Sequence, residues 1–364
     1  MRVLHILNHV QEIGNGIVNV AVDLACIQAK NGHDVAVASS GGEYEALLAR
    51  YGVQHFSLDQ TRTPIKLIKA TWRYRKIIKQ FQPDIVHAHM MTGVVLGRIL
   101  KASSVYALIS TVHNEFQRSA VLMGLADRVI AVSHAVAQSM IQRGIPAQRL
   151  RVVANGTLGS VRTRSLEQYR PAQLQRPAIT TVAGMYKRKG IAELISAFTE
   201  IATDFPQTHL YLVGNGPDRT IFEAQAQNSG VSDCIHFEGF QPEPQSYMLA
   251  TDIFVLASHR DPSPLVIPEA REAGCAIVAS NVDGIPEALD HGKAGLLVQP
   301  ADNHALAIAL RELLSSPEVL QRWKQQATHN LERLSVARVN QETLAIYQEF
   351  NPDKLSTDDQ HIRN

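Results

Sequence analysis

The sequence predicts an α/β protein built from two parallel-sheet domains that face a central cleft. Three observations carry this. Short apolar runs alternate with amphipathic helical stretches along nearly the whole chain. Repeated strand–helix order of this kind gives parallel sheets with helices on both faces. The alternation stops after Asn155-Gly156, gives way to a polar stretch over 157–177, and then restarts. At 364 residues the chain is long enough for two domains of ordinary size.

In the first half, strands are predicted at 3–7, 34–38, 85–88, 106–111, 128–132 and 150–153. Helices are predicted near 17–31, 43–51, 65–80, 92–101 and 134–143. The stretch 157–177, with several Arg and Gln and two Pro, reads as the interdomain connection. Strands then follow near 178–184, 208–213, 235–238, 252–256, 276–279 and 295–298. Helices fall near 190–203, 217–228, 244–250, 264–273, 284–290, 303–315 and 317–332. The expected division is a first Rossmann-like domain over 1–165 and a second over 166–335. A last amphipathic helix over 336–350 is expected to cross back to the first domain, and 351–364 reads as a polar tail.

Composition narrows the function. Apolar residues make up 45% and charged residues 19%, which is globular. A net charge of +1 provides no global field for nucleic acid, so any anion site is local. Cys26, Cys234 and Cys275 are scattered and odd in number, which fits small core residues in a reducing compartment. The opening Met1–Asn8 run is broken by His5 and Asn8 and reads as a strand, not a signal peptide. No run of 18 apolar residues occurs, so no transmembrane helix is expected.

Residues 258–274 carry the most chemistry. Asp261 lies in a Pro/Ser loop, and Glu269 lies about one turn into a helix expected to open near Pro264 and stop at Gly274. A helix N-terminus binds phosphate through its amides and dipole, and carboxylates accept hydrogen bonds from hydroxyls. Together they suit a sugar phosphate. The spacing alone equally fits a surface acidic pair beside an ordinary helix. The stretch resembles the E-x7-E signature of the retaining glycosyltransferases of family 4, which have the GT-B fold. Asp261 stands where that family has its first Glu, and Pro262-Ser263-Pro264 replaces the usual Gly-Phe-Pro. Glu269-Ala270 and Ala273-Gly274 match the second half.

Other motifs repeat the resemblance over roughly residues 1–350. Gly14-Asn15-Gly16 follows the first strand, where the family carries Gly-Gly and its second Gly aligns with Gly16. Glycine there lets backbone amides approach an anion, although a tight turn needs no more. Pro83-Asp84-Ile85-Val86-His87-Ala88-His89 is similar to the family's P-D-[IV]-[IV]-H-x-H. His87 and His89 share a face by period-two alternation. Such a pair suggests a metal, but no third ligand is clearly placed with it, and no metal site is expected. Ser110-Thr111-Val112-His113-Asn114 resembles T-x-H-[GD], and Ile130–Ser133 and Val152–Gly156 match the motifs that close the family's first domain.

In the second half, Val182-Ala183-Gly184 to Lys189-Gly190 is similar to V-G-R-L-x-x-x-K-G, with Gly184 in the Arg column. Lys187 or Arg188 stands in for that missing cation. Leu212–Pro217 resembles [LV]-x-G-x-G-P, Cys234–Phe240 a strand ending beside the nucleotide base, and Asp283–Glu287 the pattern G-G-x-x-E.

The resemblance implies a GT-B enzyme that moves a sugar from a nucleotide-diphosphate donor to an acceptor hydroxyl with retention. It implies that Glu269 binds the donor ribose, Asp261 the donor sugar, Lys189 and Arg188 the diphosphate, and His113 the sugar at the reacting carbon. Gly16, Gly214, Phe240, Pro264 and Leu265 complete the donor site, and Asn15 and His89 face the acceptor, with Gly16 between the two roles. The first domain then binds acceptor and the second donor. No Asp-x-Asp occurs, so no metal or other cofactor is expected. The acceptor is expected to be a cell-envelope glycan or lipid-linked sugar, handled in the cytoplasm or at the inner face of the membrane. Two alternatives stand beside this reading: a nucleotide-sugar epimerase of the same fold, and a non-catalytic subunit that binds a nucleotide sugar. One further segment, 65–79, interleaves Lys66, Lys69, Arg73, Arg75, Lys76 and Lys79 with Ile65, Ile68, Trp72, Ile77 and Ile78. It reads either as a surface for anionic lipid or as a core-facing helix with solvated charges.

Overall fold

A computed structural model describes residues 1–61, 63–101 and 106–350. The expected polar tail over 351–364 lies outside the described residues. The chain forms two compact units, Met1–Thr163 with the chain from Ser335 onward, and Arg164–Leu334.

The first unit is built on seven strands: β1 Arg2–Ile6, β2 Asp34–Ser39, β3 Gln54–Ser57, β4 Ile85–Ala88, β5 Ala107–Val112, β6 Arg128–Ala131 and β7 Leu150–Val152. All pair in parallel, in the order β3-β2-β1-β4-β5-β6-β7. Sheets covered on both faces need apolar side chains on both, hence the near-continuous apolar strands. Leu4, Ile6, Val86 and Leu108 fill one face, and Val35 and Val37 fill the other. His5 and His87 interrupt that second face in register with each other. The first helix, Gly16–Lys30, packs beside the last, Val336–Gln348.

The second unit repeats the plan with β8 Ala178–Val182, β9 His209–Val213, β10 Ile235–Gly239, β11 Ile253–Leu256, β12 Ala276–Ser280 and β13 Leu296–Val298. The order β10-β9-β8-β11-β12-β13 is again all parallel. Ile253 and Val255 of β11 face one core, Phe254 and Leu256 the other.

Differences from the sequence reading have local causes. β3 was not predicted, because Gln-His-Phe-Ser at a sheet edge carries no apolar alternation. The helix expected over 317–332 ends at Ala327, and a separate 3₁₀ turn covers Leu331–Leu334. The division between the two units falls within the stretch 157–177, which is tied down on either side of it. Arg162 pairs with Asp23 at 2.9 Å, both nearly enclosed, and Ser160 donates to the same carboxylate. Beyond the division, Gln175 N donates to the Tyr211 hydroxyl and Arg176 binds Asp252.

Asp252 is a buried carboxylate of the second unit. It accepts from Arg176, from Lys324 at 2.8 Å and from Ala178 N at 3.0 Å. Burial alone would raise its pKa, but these partners hold it down to about 2. A carboxyl depressed on folding stabilises fully above its unfolded value and loses that contribution as pH falls from about 4 through about 2. Asp252→Ala leaves Lys324 and the buried Ala178 N without their acceptor, while the more exposed Arg176 turns to water, and should cost about 3 kcal/mol. Urea unfolding at pH 7 measures this, and an unchanged midpoint would exclude the role.

In segment 65–79 the apolar residues divide between the core and the solvent. In the helix Pro64–Phe81 the core takes Ala70, Tyr74, Ile77, Ile78 and Phe81. Ile65, Ile68 and Trp72 point away and are 70%, 72% and 66% exposed. No helix among the described residues is long and apolar enough to cross a membrane.

Candidate active site

In an open parallel sheet the ligand crevice lies beyond the strands' C-terminal ends, where successive connections leave in opposite directions. The two strand orders place that point between β1 and β4 in the first unit and between β8 and β11 in the second.

In the first unit, Gly14–Gly16 follow β1, His89 follows β4 and His113 follows β5. Gly14 has φ 67°, which favours glycine. Asn15 caps the first helix, its Oδ1 accepting from Ile17 N at 3.1 Å, and Gly16 is the helix's first residue. Asn15 thus serves the helix end first. His5, in the middle of β1, was missed by the sequence reading. Only the β1–β4 pairing brings it beside His87, and a strand-order argument was the signal that would have found it.

These histidines form a hydrogen-bonded set. His5 Nε2 meets Gln28 Oε1 at 2.9 Å, His5 Nδ1 meets His89 Nε2 at 3.1 Å, and His89 Nδ1 meets His113 Nε2 at 3.1 Å. His87 binds the Tyr347 hydroxyl at 2.5 Å and Thr111 Oγ1 at 2.6 Å. Burial pushes His113 down to about 3 and His5 down to about 4, the latter against a pull upward from Gln28. His87 and His89 also lie well below the usual value, through burial and then the neighbouring imidazoles. All four rings are therefore neutral at pH 7. His89 is 2% exposed with both nitrogens engaged, so it stands behind His113. That corrects its expected place at an acceptor. His113 is half-buried and ends the line.

The third ligand that the sequence did not show now exists in His5, since ring nitrogens of His5, His87 and His89 lie within 4.8 Å of one another. The donor set does not suit an ion. Both His87 nitrogens are taken by Tyr347 and Thr111, and the His87 and His89 rings lie tilted against each other with centroids 4.2 Å apart. A metal needs the lone pairs aimed at one point.

In the second unit, the loop after β8 ends in a 3₁₀ turn, Lys187–Lys189, before the helix Ile191–Ile201. It lies against the loop after β11. His259 N donates to Arg188 O at 2.8 Å. A Cβ on Gly190 would sit 1.8 Å from Ala257 O, and its φ is 68°, so only glycine permits this approach. Lys189 Nζ reaches Asp261 Oδ2 at 2.5 Å, with side chains 15% and 9% exposed. Two residues given separate roles from sequence are thus one ion pair. Arg188 is exposed, with its guanidinium 5.7 Å from the Tyr186 ring.

Asp283 was also missed as a functional support. It stands at φ 49° where the resembling pattern has Gly. Its carboxylate accepts from Arg260 Nε at 2.8 Å and from Asp261 N at 2.9 Å, fixing the loop that carries Asp261. The following helix is shorter than expected, Val266–Glu272, with Leu265 as N-cap, no capping side chain, and Glu269 in its first turn. Pro264 is buried before it. Gly214, after β9, donates to Gly239 O at 2.7 Å, and a Cβ there would meet Ala183 O at 1.9 Å. Phe240, after β10, is 56% exposed and offers an apolar ring at the same edge of the sheet.

A model of the family "Glycosyl transferases group 1" matches residues 165–330, and one of "Glycosyltransferase Family 4" matches residues 14–157. The lipopolysaccharide core biosynthesis glycosyltransferase LpsD of Rhizobium meliloti is 28% identical over 283 residues, 77% of this chain and 75% of that protein. Glycogen synthase of Mycobacterium tuberculosis is 26% identical over 289 residues, 73% of this chain and 69% of that protein. The crystal structure of Anabaena HepE in complex with UDP superposes with a TM-score of 0.81 at 19% identity, over 96% of this chain and 100% of that one. That similarity shows the fold, two parallel sheets of the GT-B type.

Proposed function

From the premise that this chain belongs to the group 1 and family-4 glycosyltransferases, we propose that it transfers a hexosyl unit from a nucleotide-diphosphate sugar to an acceptor hydroxyl with retention. The observation that carries this reading is the Lys189–Asp261 pair at the topological switch point of the second unit. A lysine held at a strand end is a cation for a diphosphate, and its carboxylate partner is a ligand for sugar hydroxyls. Arg188 adds charge, Gly214 allows close approach, and Phe240 provides a surface for a base. The amides at Leu265 and Val266 suit the phosphates, and Glu269 the ribose. HepE was crystallised with UDP-glucose, which supports a nucleotide sugar as donor here.

The chemistry follows from these groups. As the glycosidic bond to the diphosphate breaks, negative charge gathers on the leaving oxygens. Lys189 and the helix amides are pre-aimed stabilisers of that charge. Positive charge gathers at the anomeric carbon, and neutral His113 accepts from a sugar hydroxyl there. The leaving diphosphate takes the acceptor proton. Turnover therefore proceeds without a divalent cation. A panel of nucleotide sugars, with the product's anomeric configuration read by NMR, tests the reading. Product of inverted configuration, or turnover lost to a chelator and restored by magnesium, would overturn it.

The acceptor is a glycan or lipid-linked sugar of the cell envelope, in line with the relative that is a glycosyltransferase of lipopolysaccharide core biosynthesis. The outward face of Pro64–Phe81 supports an anionic bilayer as the place of work. Ile65, Ile68 and Trp72 share that face with Lys69, Lys76 and Lys79, and each surface cation adds about 1 kcal/mol toward anionic lipid. Ile68→Ser with Trp72→Ser is expected to abolish sedimentation with phosphatidylglycerol vesicles while leaving the thermal midpoint unchanged. Equal sedimentation with neutral vesicles, or none with either, would remove the membrane from the account.

A further inference from the structure

We propose that Gln28, His5 and His89 are positioning residues that fix the proton of His113 on Nε2, presenting Nδ1 as a bare acceptor. The proposal rests on the reading of His113 as the group that meets the transferred sugar.

Gln28 Oε1 lies 2.9 Å from His5 Nε2, His5 Nδ1 lies 3.1 Å from His89 Nε2, and His89 Nδ1 lies 3.1 Å from His113 Nε2. An amide oxygen only accepts, so the His5 proton sits on Nε2. A neutral imidazole has one N–H and one lone pair, so His5 Nδ1 must accept, and His89 Nε2 must donate. The same step passes from His89 to His113. One amide orientation on the first helix thereby sets three tautomers. Gln28 and His5 are fully buried and His89 is 2% exposed, so water does not interrupt the line. The depressed basicity of the rings keeps them neutral, which the alternation requires. His87 stays outside the line, tied to Tyr347 and Thr111, and its ring lies against His89.

The direction has a chemical consequence. A sugar hydroxyl that donates to Nδ1 becomes more electron-rich and favours positive charge developing on the ring. A reversed Gln28 amide would reverse every bond and present Nδ1–H, which withdraws charge. Among the described residues His113 Nδ1 has no protein hydrogen-bond partner, so it is the nitrogen left to a ligand.

Protein labelled with ¹⁵N-histidine tests this, in the wild type and in Gln28→Met, with His113 assigned through His113→Asn. Two-bond ¹H–¹⁵N correlations show which nitrogen carries the proton. The expected wild-type result is Nε2–H on His113, and the expected Gln28→Met result is a mixture of tautomers. In that variant kcat should fall on the order of tenfold, as a misplaced imidazole proton disables a site, with nucleoside-diphosphate affinity unchanged. A wild-type Nδ1–H, which needs no variant to detect, or an unaltered tautomer in Gln28→Met, overturns the proposal. Loss of turnover with every nucleotide sugar would instead remove the functional reading and leave the tautomer result standing.

Discussion

Lys189→Ala should lower kcat/KM for the donor by about 10²–10³-fold, the cost of removing one pre-aimed charge from a developing anion. The expectation rests on place, because Lys189 ends the turn after β8, at the switch point of its sheet. It also rests on enclosure, since the side chain is 15% exposed and already holds a carboxylate at 2.5 Å. The enclosure has a second effect. Without Lys189, Asp261 is left with little solvent and a long contact to Ser258. Stability should therefore drop by about 2 kcal/mol, less than for a fully buried pair because both groups keep some water. Urea unfolding separates this loss from the kinetic one. Lys189→Arg keeps the charge and the pair, so its stability should return while part of the rate stays lost to the bulkier head group. Near-normal turnover in folded Lys189→Ala would sink the donor-site assignment.

What the sequence could and could not show follows from the range of each signal. Strands and helices are local, and ten or so residues of pattern found nearly all of them. β3 escaped because an edge strand with one apolar residue, Phe56, has no pattern to read. Gly190 was legible as part of a motif, but its reason was not. The Cβ it lacks would strike Ala257, a residue far along the chain. Likewise the Lys189–Asp261 pair joins two loops that only the β8–β11 pairing brings together. His5 looked like a blemish in the first strand until β4 lay next to it. Asp283 was read as one place in a motif. Its function is to hold the Asp261 loop from the left-handed backbone region, where the chain bends back toward Arg260. Motif residues were thus readable one by one, and their mutual geometry was set by sheet order.

Asp261→Asn should abolish most turnover and yet tighten binding of a free nucleoside diphosphate by about tenfold, or 1.4 kcal/mol. The two effects have opposite signs because the carboxylate does two things. In the unliganded chain it neutralises Lys189, so an incoming diphosphate must compete with it and also meets its negative charge. Asn keeps the size and the loop contacts through the backbone, which Asp283 and Gly284 hold. It removes the competitor and the repulsion, and Lys189 is left to the diphosphate. In the proposed function the carboxylate accepts from the donor sugar's hydroxyls, and Asn offers one oxygen where Asp offers two. Asp261→Glu restores the family's residue and should keep activity, since one added methylene at a loop flanked by Lys189 is easily absorbed. Calorimetric titration with UDP, beside initial rates with the preferred donor, measures both effects in the same protein. Unchanged affinity with unchanged rate in Asp261→Asn would make the residue a mere loop support. Tighter binding with full turnover would keep the ion-pair competition and remove Asp261 from the sugar.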